Sequence, residues 1–395
     1  MSASPVSGVA MPSLVSPRST RRPSPLWPML GWWLMWSLLS GNALADEVTV
    51  TDLAGREVTI PHGAERVILG EGRLLYTLAA LRPEAPFAPL VGWRDELKRF
   101  DGDVWARYQE RFPEAASLAT FGKAANGEFS LEQALALEPD AIVFDLAAWP
   151  ALRDGPTLPV LEAAGIPVVF VDFLTEPDRH MAPSVRLLGR LFAAEARAEA
   201  LLALRRESLE AVADRLPARR PRVLIETAAG LHPDCCRSVG DDNLGRVVRL
   251  AGGDNIAAAR IPGVFGRLHP EWVLAEDPEV IVMTGGDWQA MSEAAVPMGY
   301  EASPGAARAA MRGLTEMRLG WRELSAVREG RVHGLWHQFY NTPYQFVAVQ
   351  RLAKWLHPEA MADLDPEALW RRLHDDFLPL SAEGAFWASL DEETR

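Results

Sequence analysis

An ungapped internal repeat constrains the fold of this chain more than any other feature of its sequence. The segments Ser130–Phe144 and His269–Met283 match at one offset of 139 residues, with shared glutamate, leucine, alanine, proline, isoleucine and valine positions. Each segment has the pattern of a short helix, a turn with a proline and an acidic residue, and a buried strand. The repeat therefore predicts two related α/β lobes.

The matched glutamates, Glu132 and Glu271, need a separate explanation from the matched apolar positions. Core packing accounts for the apolar matches, whereas both glutamates lie in the first turn of a predicted helix. A carboxylate there interacts favourably with the helix dipole, so helix capping is one explanation. A function shared by the two lobes is the other.

The first 45 residues have the features of a secretory signal peptide. Arg18, Arg21 and Arg22 are their only charges, an apolar run covers Leu26–Leu39, and Ala43–Ala45 has the small-x-small pattern of a cleavage site. The apolar run is shorter than the roughly 20 residues that span a bilayer. We expect cleavage after Ala45 and an exported mature protein without a membrane span. Both the general secretory and the twin-arginine routes remain open.

Charge and cysteine content exclude several classes of protein. Loss of the three arginines lowers the formal net charge from −13 to −16. Nucleic acids and anionic membranes bind basic surfaces, so neither is expected as a partner. The two cysteines, Cys235 and Cys236, are neighbours, and a disulfide between them would close too short a loop to stabilise the fold through chain entropy.

The mature sequence predicts an α/β fold with two Rossmann-like lobes. Alternating apolar residues around Asp52–Gly55 predict an opening β-hairpin, and short apolar runs then alternate with helical stretches, which is typical of parallel sheets. The predicted strands are 67–69, 90–92, 141–144, 168–171, 223–225, 280–283 and 331–334. The predicted division is a signal peptide at 1–45, an N-terminal lobe at 46–176, a linking helix at 177–217 and a C-terminal lobe at 218–395.

The predicted link between the lobes is one long α-helix. From about Pro183 to Leu216, apolar residues recur three, four or seven positions apart. This spacing gives one apolar stripe on a helix of about 32 residues, or roughly 48 Å. Such a helix is too long for a crossover within one lobe.

This order of segments resembles that of the periplasmic binding proteins of iron-siderophore, haem and cobalamin ABC importers. The resemblance covers nearly all of residues 47–380 and is most specific in four motifs: Val50–Pro61, Leu131–Asp140, Leu250–Ile256 and Asn341–Tyr344. It implies a shallow ligand cleft between lobes that the linking helix keeps from closing widely. It also implies that Glu132 and Glu271 pair with arginines of the importer's permease.

The candidate ligand-binding residues follow the predicted strands, because ligands of open α/β sheets bind beyond the carboxyl ends of the strands. They are Arg73, Trp93, Arg94, Lys123 and Trp149 in the first lobe, and Cys235, Cys236, Arg237, Trp288, Trp336, His337 and Tyr340 in the second. Guanidinium groups bind carboxylate and phenolate oxygens, and aromatic rings supply stacking surface. This combination favours a bulky anionic ligand such as a ferric siderophore.

Other ligands and classes of protein stay open at this stage. Haem would be favoured by an iron ligand such as His337 or Tyr340, and cobalamin proteins share the scaffold. A protein for free metal ions needs several convergent His and carboxylate ligands, and the first lobe has no histidine after a strand. The motifs of serine hydrolases, phosphate-binding loops and zinc proteases are absent from the sequence. We therefore expect a monomeric binding protein with no catalytic residues, no cofactor and no metal held directly by the protein.

Overall fold

The structure is a computed structural model that describes residues 46–232 and 234–391. The predicted signal peptide lies outside the described residues. The first described element is the predicted hairpin, with antiparallel strands β1 (Glu47–Thr51) and β2 (Glu57–Pro61). Its turn is held by the Asp52 carboxylate, which accepts hydrogen bonds from the backbone N–H groups of Ala54 and Arg56.

The first lobe contains a parallel five-stranded sheet of order β5-β4-β3-β6-β7. Its strands are β3 (Val67–Leu69), β4 (Leu90–Arg94), β5 (Ala119–Phe121), β6 (Ala141–Asp145) and β7 (Val168–Val171). Its helices are α1 (Leu74–Leu81), α2 (Leu97–Phe100), α3 (Gly102–Arg111), α4 (Leu131–Ala136), α5 (Trp149–Arg153) and α6 (Thr157–Ala163). Four of these strands were predicted, because each is a buried apolar run between turn residues.

The link between the lobes differs from the predicted single helix. It is a pair of helices, α7 (Pro177–Leu191) and α8 (Glu195–Ala213). The chain turns at Ala193, whose φ is 49°, and the N–H of Ala194 donates to the carbonyl oxygen of Gly189. This bond closes a Schellman-type cap, in which the left-handed position usually holds glycine. The two helices then pack side by side, because Arg186 of α7 pairs with Glu199 of α8 at 2.6 Å.

The second lobe contains a five-stranded sheet of order β10-β8-β12-β13-β14, in which only β14 is antiparallel to its neighbour. Its strands are β8 (Arg222–Glu226), β10 (Asp254–Asn255), β12 (Val280–Gly285), β13 (Val332–Trp336) and β14 (Trp387–Ser389). A separate antiparallel pair is formed by β9 (Arg237–Val239) and β11 (Phe265–Arg267). The helices are α9 (Leu244–Leu250), α10 (Pro270–Glu276), α11 (Pro304–Met317), α12 (Ser325–Arg328), α13 (Gln345–Leu356) and α14 (Pro366–Phe377). We use N-lobe and C-lobe for the parts that carry the two sheets; the predicted boundaries stay predictions.

The sequence repeat is also a structural repeat. Its two copies form α4 followed by β6, and α10 followed by β12. The residues that end the turns, Glu138 and Asp277, have φ values of 44° and 43°. Positive φ is uncommon outside glycine, so its occurrence at equivalent positions shows that both turns follow the same path.

Two arginines make the same hydrogen bonds in the two lobes. The Arg66 side chain donates to the carbonyl oxygens of Leu137 and Glu138, and Arg222 donates to those of Glu276 and Asp277. These carbonyls at the helix ends have no partner within the helix, so each arginine caps its α helix. The helices that carry Glu132 and Glu271 are therefore held equivalently on the two sheets.

Candidate functional site

A cleft of about 570 Å³ lies beyond the carboxyl ends of strands from both sheets. Residues that follow β3, β4, β5 and β6 line it from the N-lobe, and residues that follow β8, β12 and β13 line it from the C-lobe. Seven of the predicted ligand-binding residues line this cleft: Arg73, Arg94, Lys123, Arg237, Trp288, His337 and Tyr340. Their contact with ligand stays a prediction.

Trp93 and Trp336 do not line the cleft, so the prediction that they contact ligand is wrong. Trp93 has no exposed surface and stacks on Trp105 with ring centroids 5.0 Å apart. Trp336 is buried among aromatic rings that include Tyr76 and Phe386. Both are strand residues, and helices cover both faces of these sheets, so a strand side chain is buried whichever way it points.

Trp149 is also displaced from the cleft. Its ring packs against Phe170 at 5.1 Å and below the guanidinium of Arg56 at 5.3 Å. The neighbouring Ala147 and Ala148 line the cleft instead. The loop after β6 therefore reaches the cleft through these alanines, and the structure places the predicted Trp149 beside it.

Cys235 and Cys236 form a disulfide and lie behind the cleft wall. Cys236 is fully buried, whereas Cys235 lines a separate cavity of the C-lobe. Neither cysteine lines the cleft, and the residue that follows them, Arg237, does.

The floor of the cleft is a network of charged side chains from the N-lobe. Arg94 pairs with Glu71, and the Arg73 guanidinium lies 3.6 Å from Glu71, 3.7 Å from Glu96 and 3.7 Å from Asp101. Both predicted arginines are thus already partnered by carboxylates. The sequence analysis did not predict these carboxylates, although Glu71 lies only two residues before the predicted Arg73.

The network extends across the cleft to the C-lobe. Arg73 donates from Nε to the side-chain oxygen of Gln338 at 3.1 Å, and the Gln338 amide donates to Asp101. Trp288 also joins the lobes, because its indole N–H donates to the carbonyl oxygen of Phe100 at 2.8 Å. The floor therefore connects the two lobes and orients the residues above it.

Glu71 and Glu96 lie in the same network, and each is within 4 Å of both Arg73 and Arg94. Burial and the neighbouring Glu71 charge raise the pKa of Glu96 well above its ordinary value. Burial alone would raise the pKa of Glu71, but the neighbouring Glu96 and the charges of Arg73 and Arg94 outweigh it and lower that pKa. The pKa values of the two carboxyl groups are therefore shifted in opposite directions.

Asp101→Asn should stabilise the protein relative to wild type as the pH rises from about 4 to about 7. Burial raises the pKa of Asp101 to about 7, against the opposing charge of Arg73. The folded wild type therefore keeps a proton that the unfolded chain releases, so its free energy of unfolding falls as the pH rises through this range. We expect the difference between the two proteins to grow by at most about 1.4 kcal/mol per pH unit.

Urea denaturation at a series of pH values measures this difference. Asp95→Asn is the matched control, because Asp95 is half-buried and pairs with Lys98 outside the network. The control should follow the wild-type pH dependence. A curve for Asp101→Asn parallel to that of wild type would contradict the prediction.

Two cations face the cleft from opposite lobes without a carboxylate partner among the described residues. Lys123 follows β5 in the N-lobe, and Arg237 begins β9 in the C-lobe; both are exposed. No ion pair joins either side chain to the part of the chain that the structure describes. They are the positive charges that a ligand can use without displacing a protein carboxylate.

Aromatic rings form the C-lobe wall of the cleft. His337 lies between Trp288 and Tyr340, with ring centroids 5.2 and 4.6 Å apart, and Phe265 contacts the edge of Tyr340. Thr284 hydrogen-bonds to Nδ1 of His337 at 2.8 Å. Burial, with the charges of Arg73 and Arg237, lowers the pKa of His337 to about 3. The imidazole is therefore neutral and its position is fixed.

Glu132 and Glu271 lie away from the cleft, in the first turns of α4 and α10. Both are exposed, and neither forms an ion pair within residues 46–232 and 234–391. Over the same residues, no group of three or more His, Cys, Asp or Glu side chains could hold a metal ion. None of the described helices is both long and apolar enough to cross a bilayer.

Residues 98–336 match the model of the periplasmic binding protein family, and the chain belongs to this family. It is a periplasmic solute-binding protein of ABC importers. No curated protein sequence matches the chain.

Several solved structures share its fold. A TroA-like periplasmic binding protein, FepB from Veillonella parvula, is 27% identical, with 87% of this chain and 100% of that chain covered and a TM-score of 0.80. The molybdate-binding protein MolA of Haemophilus influenzae is 20% identical, with coverages of 85% and 99% and a TM-score of 0.64. The haem-binding protein RhuT of Roseiflexus sp. RS-1 is 22% identical, with coverages of 75% and 100% and a TM-score of 0.53. MolA and RhuT bind different ligands, so the fold alone does not define the ligand.

Proposed function

We propose that this protein binds a ferric siderophore in the periplasm and delivers it to the permease of an ABC importer. The observation that carries the proposal is the pair of unpartnered cations, Lys123 and Arg237, which face one cleft from opposite lobes. A ferric complex with anionic oxygen ligands can accept hydrogen bonds from both at once. Such a ligand would bridge the lobes through its own charge.

The shape and remaining lining of the cleft support the same ligand class. Its volume of about 570 Å³ is within the range of small-molecule sites. Trp288, Tyr340 and Phe265 offer ring faces and edges against which the organic part of a siderophore can pack. Glu71 keeps Arg94 in place at the floor, so these groups are already oriented before the ligand binds.

Trp288 makes the proposal directly testable by fluorescence. It lines the cleft, and ferric complexes quench tryptophan emission at short range, so titration should report binding. We expect anionic ferric complexes, such as those of catecholates, to bind more tightly than haemin or cobalamin. Tighter binding of cobalamin than of the ferric complexes and haemin would contradict the proposal, because cobalamin would gain little from two unpaired cations.

Haem is the second candidate, and the state of His337 favours it. The imidazole is neutral, its Nδ1 is engaged by Thr284, and Tyr340 lies beside it. A neutral, oriented imidazole is suited to ligate iron through Nε2. Haemin titration would then give a shifted Soret band that His337→Ala removes. The siderophore proposal expects no such band at equimolar haemin.

Replacing Glu132 and Glu271 together by alanine should reduce uptake about tenfold or more and leave ligand affinity within about twofold of wild type. Both carboxylates are exposed, form no ion pair with the described residues and do not line the cleft. Their loss strands the permease arginines with which we expect them to pair, and a stranded charge at an interface costs affinity. Uptake of a radiolabelled ferric complex into cells, beside tryptophan fluorescence of the purified protein, measures the two effects.

Glu110→Ala with Glu359→Ala is the matched control, since it removes one exposed carboxylate from each lobe. This control should transport normally. Normal transport by the Glu132 and Glu271 variant would contradict the docking role.

A further inference from the structure

Two apolar side chains project from the C-lobe with an exposure that no structural role requires. Leu319 is 94% exposed and Met317 is 69% exposed, whereas the other exposed large apolar residues of the described chain, such as Met291, reach at most 44%. Met317 is the last residue of α11, and Leu319 lies two residues beyond it. We call Met317 and Leu319 the apolar knob.

The knob is held rigidly by the residue between its two members. Arg318 points inward, where its guanidinium forms a two-pronged ion pair with the buried Glu226 and stacks over Trp321 at 4.3 Å. Gly320 has φ of 79° and packs closely on Leu274 of α10. Because Arg318 and Trp321 are fixed on the inside, Met317 and Leu319 must remain outside. A rigid apolar projection loses little conformational entropy when a partner covers it.

The knob lies beside the helix that carries Glu271. Leu319 and Trp321 line a cavity of about 580 Å³ together with His269, the N-cap of α10, and Pro270, its first residue. Glu271 is the next residue and is exposed. The C-lobe therefore presents, on one surface, an unpaired carboxylate, an apolar projection and a cavity between them.

The N-lobe has no described counterpart of the knob. Among residues 46–176, the one exposed large apolar residue is Val160, at 40%, and it lies in α6. Glu132 and Glu271 are equivalent by the internal repeat, so a partner that recognised only the glutamates could bind the protein in two orientations. The apolar knob distinguishes the lobes.

We infer that the apolar knob and Glu271 together form the C-lobe half of the surface that docks on the membrane-spanning subunit of the importer, and that the knob fixes the orientation of docking. The inference rests on the importer-docking part of the proposed function. It assigns to the partner an apolar recess beside a basic side chain. An apolar core surrounded by a polar rim is the usual arrangement of an interface, and methionine is enriched in such cores.

Charge and buried area favour the importer subunit as the partner over a second copy of this chain or an anionic lipid surface. The chain is strongly acidic, with a net charge of −13, so copies of it repel each other and anionic lipids repel it. Two projecting side chains also bury far less than the roughly 800 Å² per partner that a stable dimer needs. A larger docking surface that already includes Glu132 and Glu271 does not need the two side chains of the knob to supply all of its buried area.

Photo-crosslinking in the producing cells identifies the occupant. A benzophenone amino acid at position 319 of the full chain should crosslink to the membrane-spanning subunit of an ABC importer, identified by mass spectrometry. The same group at Met291, which is exposed elsewhere on the C-lobe, is the control and should give no such product. A product with a second copy of this chain or with lipid, or none above the control, would overturn the inference.

Docking affinity for the captured importer in nanodiscs provides the second measurement. Met317→Ser with Leu319→Ser should raise the Kd of the ligand-free protein about tenfold or more. Val160→Ser with Met291→Ser should leave it unchanged, and all variants should keep the wild-type melting temperature. If the knob variant docks normally while the Glu132 and Glu271 variant does not, this inference alone fails. If both dock normally, the docking part of the proposed function fails as well.

Discussion

Arg73→Ala should lower the free energy of unfolding by roughly 3–5 kcal/mol, the usual cost of removing one partner from a buried ion pair. Arg73 is 9% exposed and lies 3.6–3.7 Å from the carboxyl groups of Glu71, Glu96 and Asp101. Its loss leaves Asp101 with no ion pair among the described residues and leaves Glu71 and Glu96 paired with Arg94 alone. It also removes the hydrogen bond to Gln338 that joins the lobes. Equilibrium denaturation by urea measures the effect.

The pH dependence and two further variants separate this explanation from loss of packing. The destabilisation should shrink at about pH 5, because the stranded carboxylates can then take up protons. Asp101→Asn in the Arg73→Ala background should restore part of the stability. Arg99→Ala is the matched control, since Arg99 is exposed and lies over the same Phe100 ring. A loss below about 1 kcal/mol, similar to an exposed site, would contradict the prediction.

The strands and the repeat could be predicted because they depend on local pattern. A buried parallel strand is a short apolar run, and Ala141–Asp145 and Val280–Gly285 are such runs in equivalent positions. The edge strand β14 gave no such signal, because Trp387, Ala388 and Ser389 form a short, mixed segment. Strand β14 forms by pairing with β13, which is more than 50 residues away in the sequence.

The break between α7 and α8 could not be predicted from composition. A helix end is usually marked by glycine at the left-handed position, and here that position holds Ala193. The apolar spacing continues across the break, because both helices bury one stripe. The turn depends on the close packing of Gly189 against Ala198, which only the folded chain reveals.

The cations of the cleft could be predicted, but their partners could not. Arg73, Arg94, Lys123 and Arg237 all line it, because residues beyond the strand ends meet at one edge. The sequence did not reveal that Arg73 and Arg94 are paired with nearby carboxylates. Glu96 and Asp101 follow β4 by only a few residues, so in the sequence they have the pattern of solvated loop charges. The aromatic residues were predicted less well, because a tryptophan within a strand packs in the core and one beyond its end can reach the cleft.

This distinction changes the expected result of removing cleft charges. Replacing Arg94 would disturb the floor network, whereas Lys123 and Arg237 have no ion pair with the described residues and can be removed without stranding a carboxylate. Lys123→Ala with Arg237→Ala should therefore keep the wild-type melting temperature. The two substitutions isolate the contribution of charge to ligand binding from its contribution to stability.

The same double variant should bind anionic ferric siderophores at least about 100-fold more weakly than wild type. Each hydrogen bond from a charged group contributes roughly 1.5–3 kcal/mol, so the pair contributes about 3 kcal/mol or more, and every 1.4 kcal/mol is tenfold in Kd. Quenching of Trp288 measures the affinity. Lys98→Ala with Arg267→Ala is the matched control, because it removes the same charge from side chains that pair with Asp95 and Asp234 outside the cleft. Equal affinities of the variant and wild type would mean that the ligand is not held by these cations, and would leave the aromatic wall around His337 as the part of the cleft that recognises it.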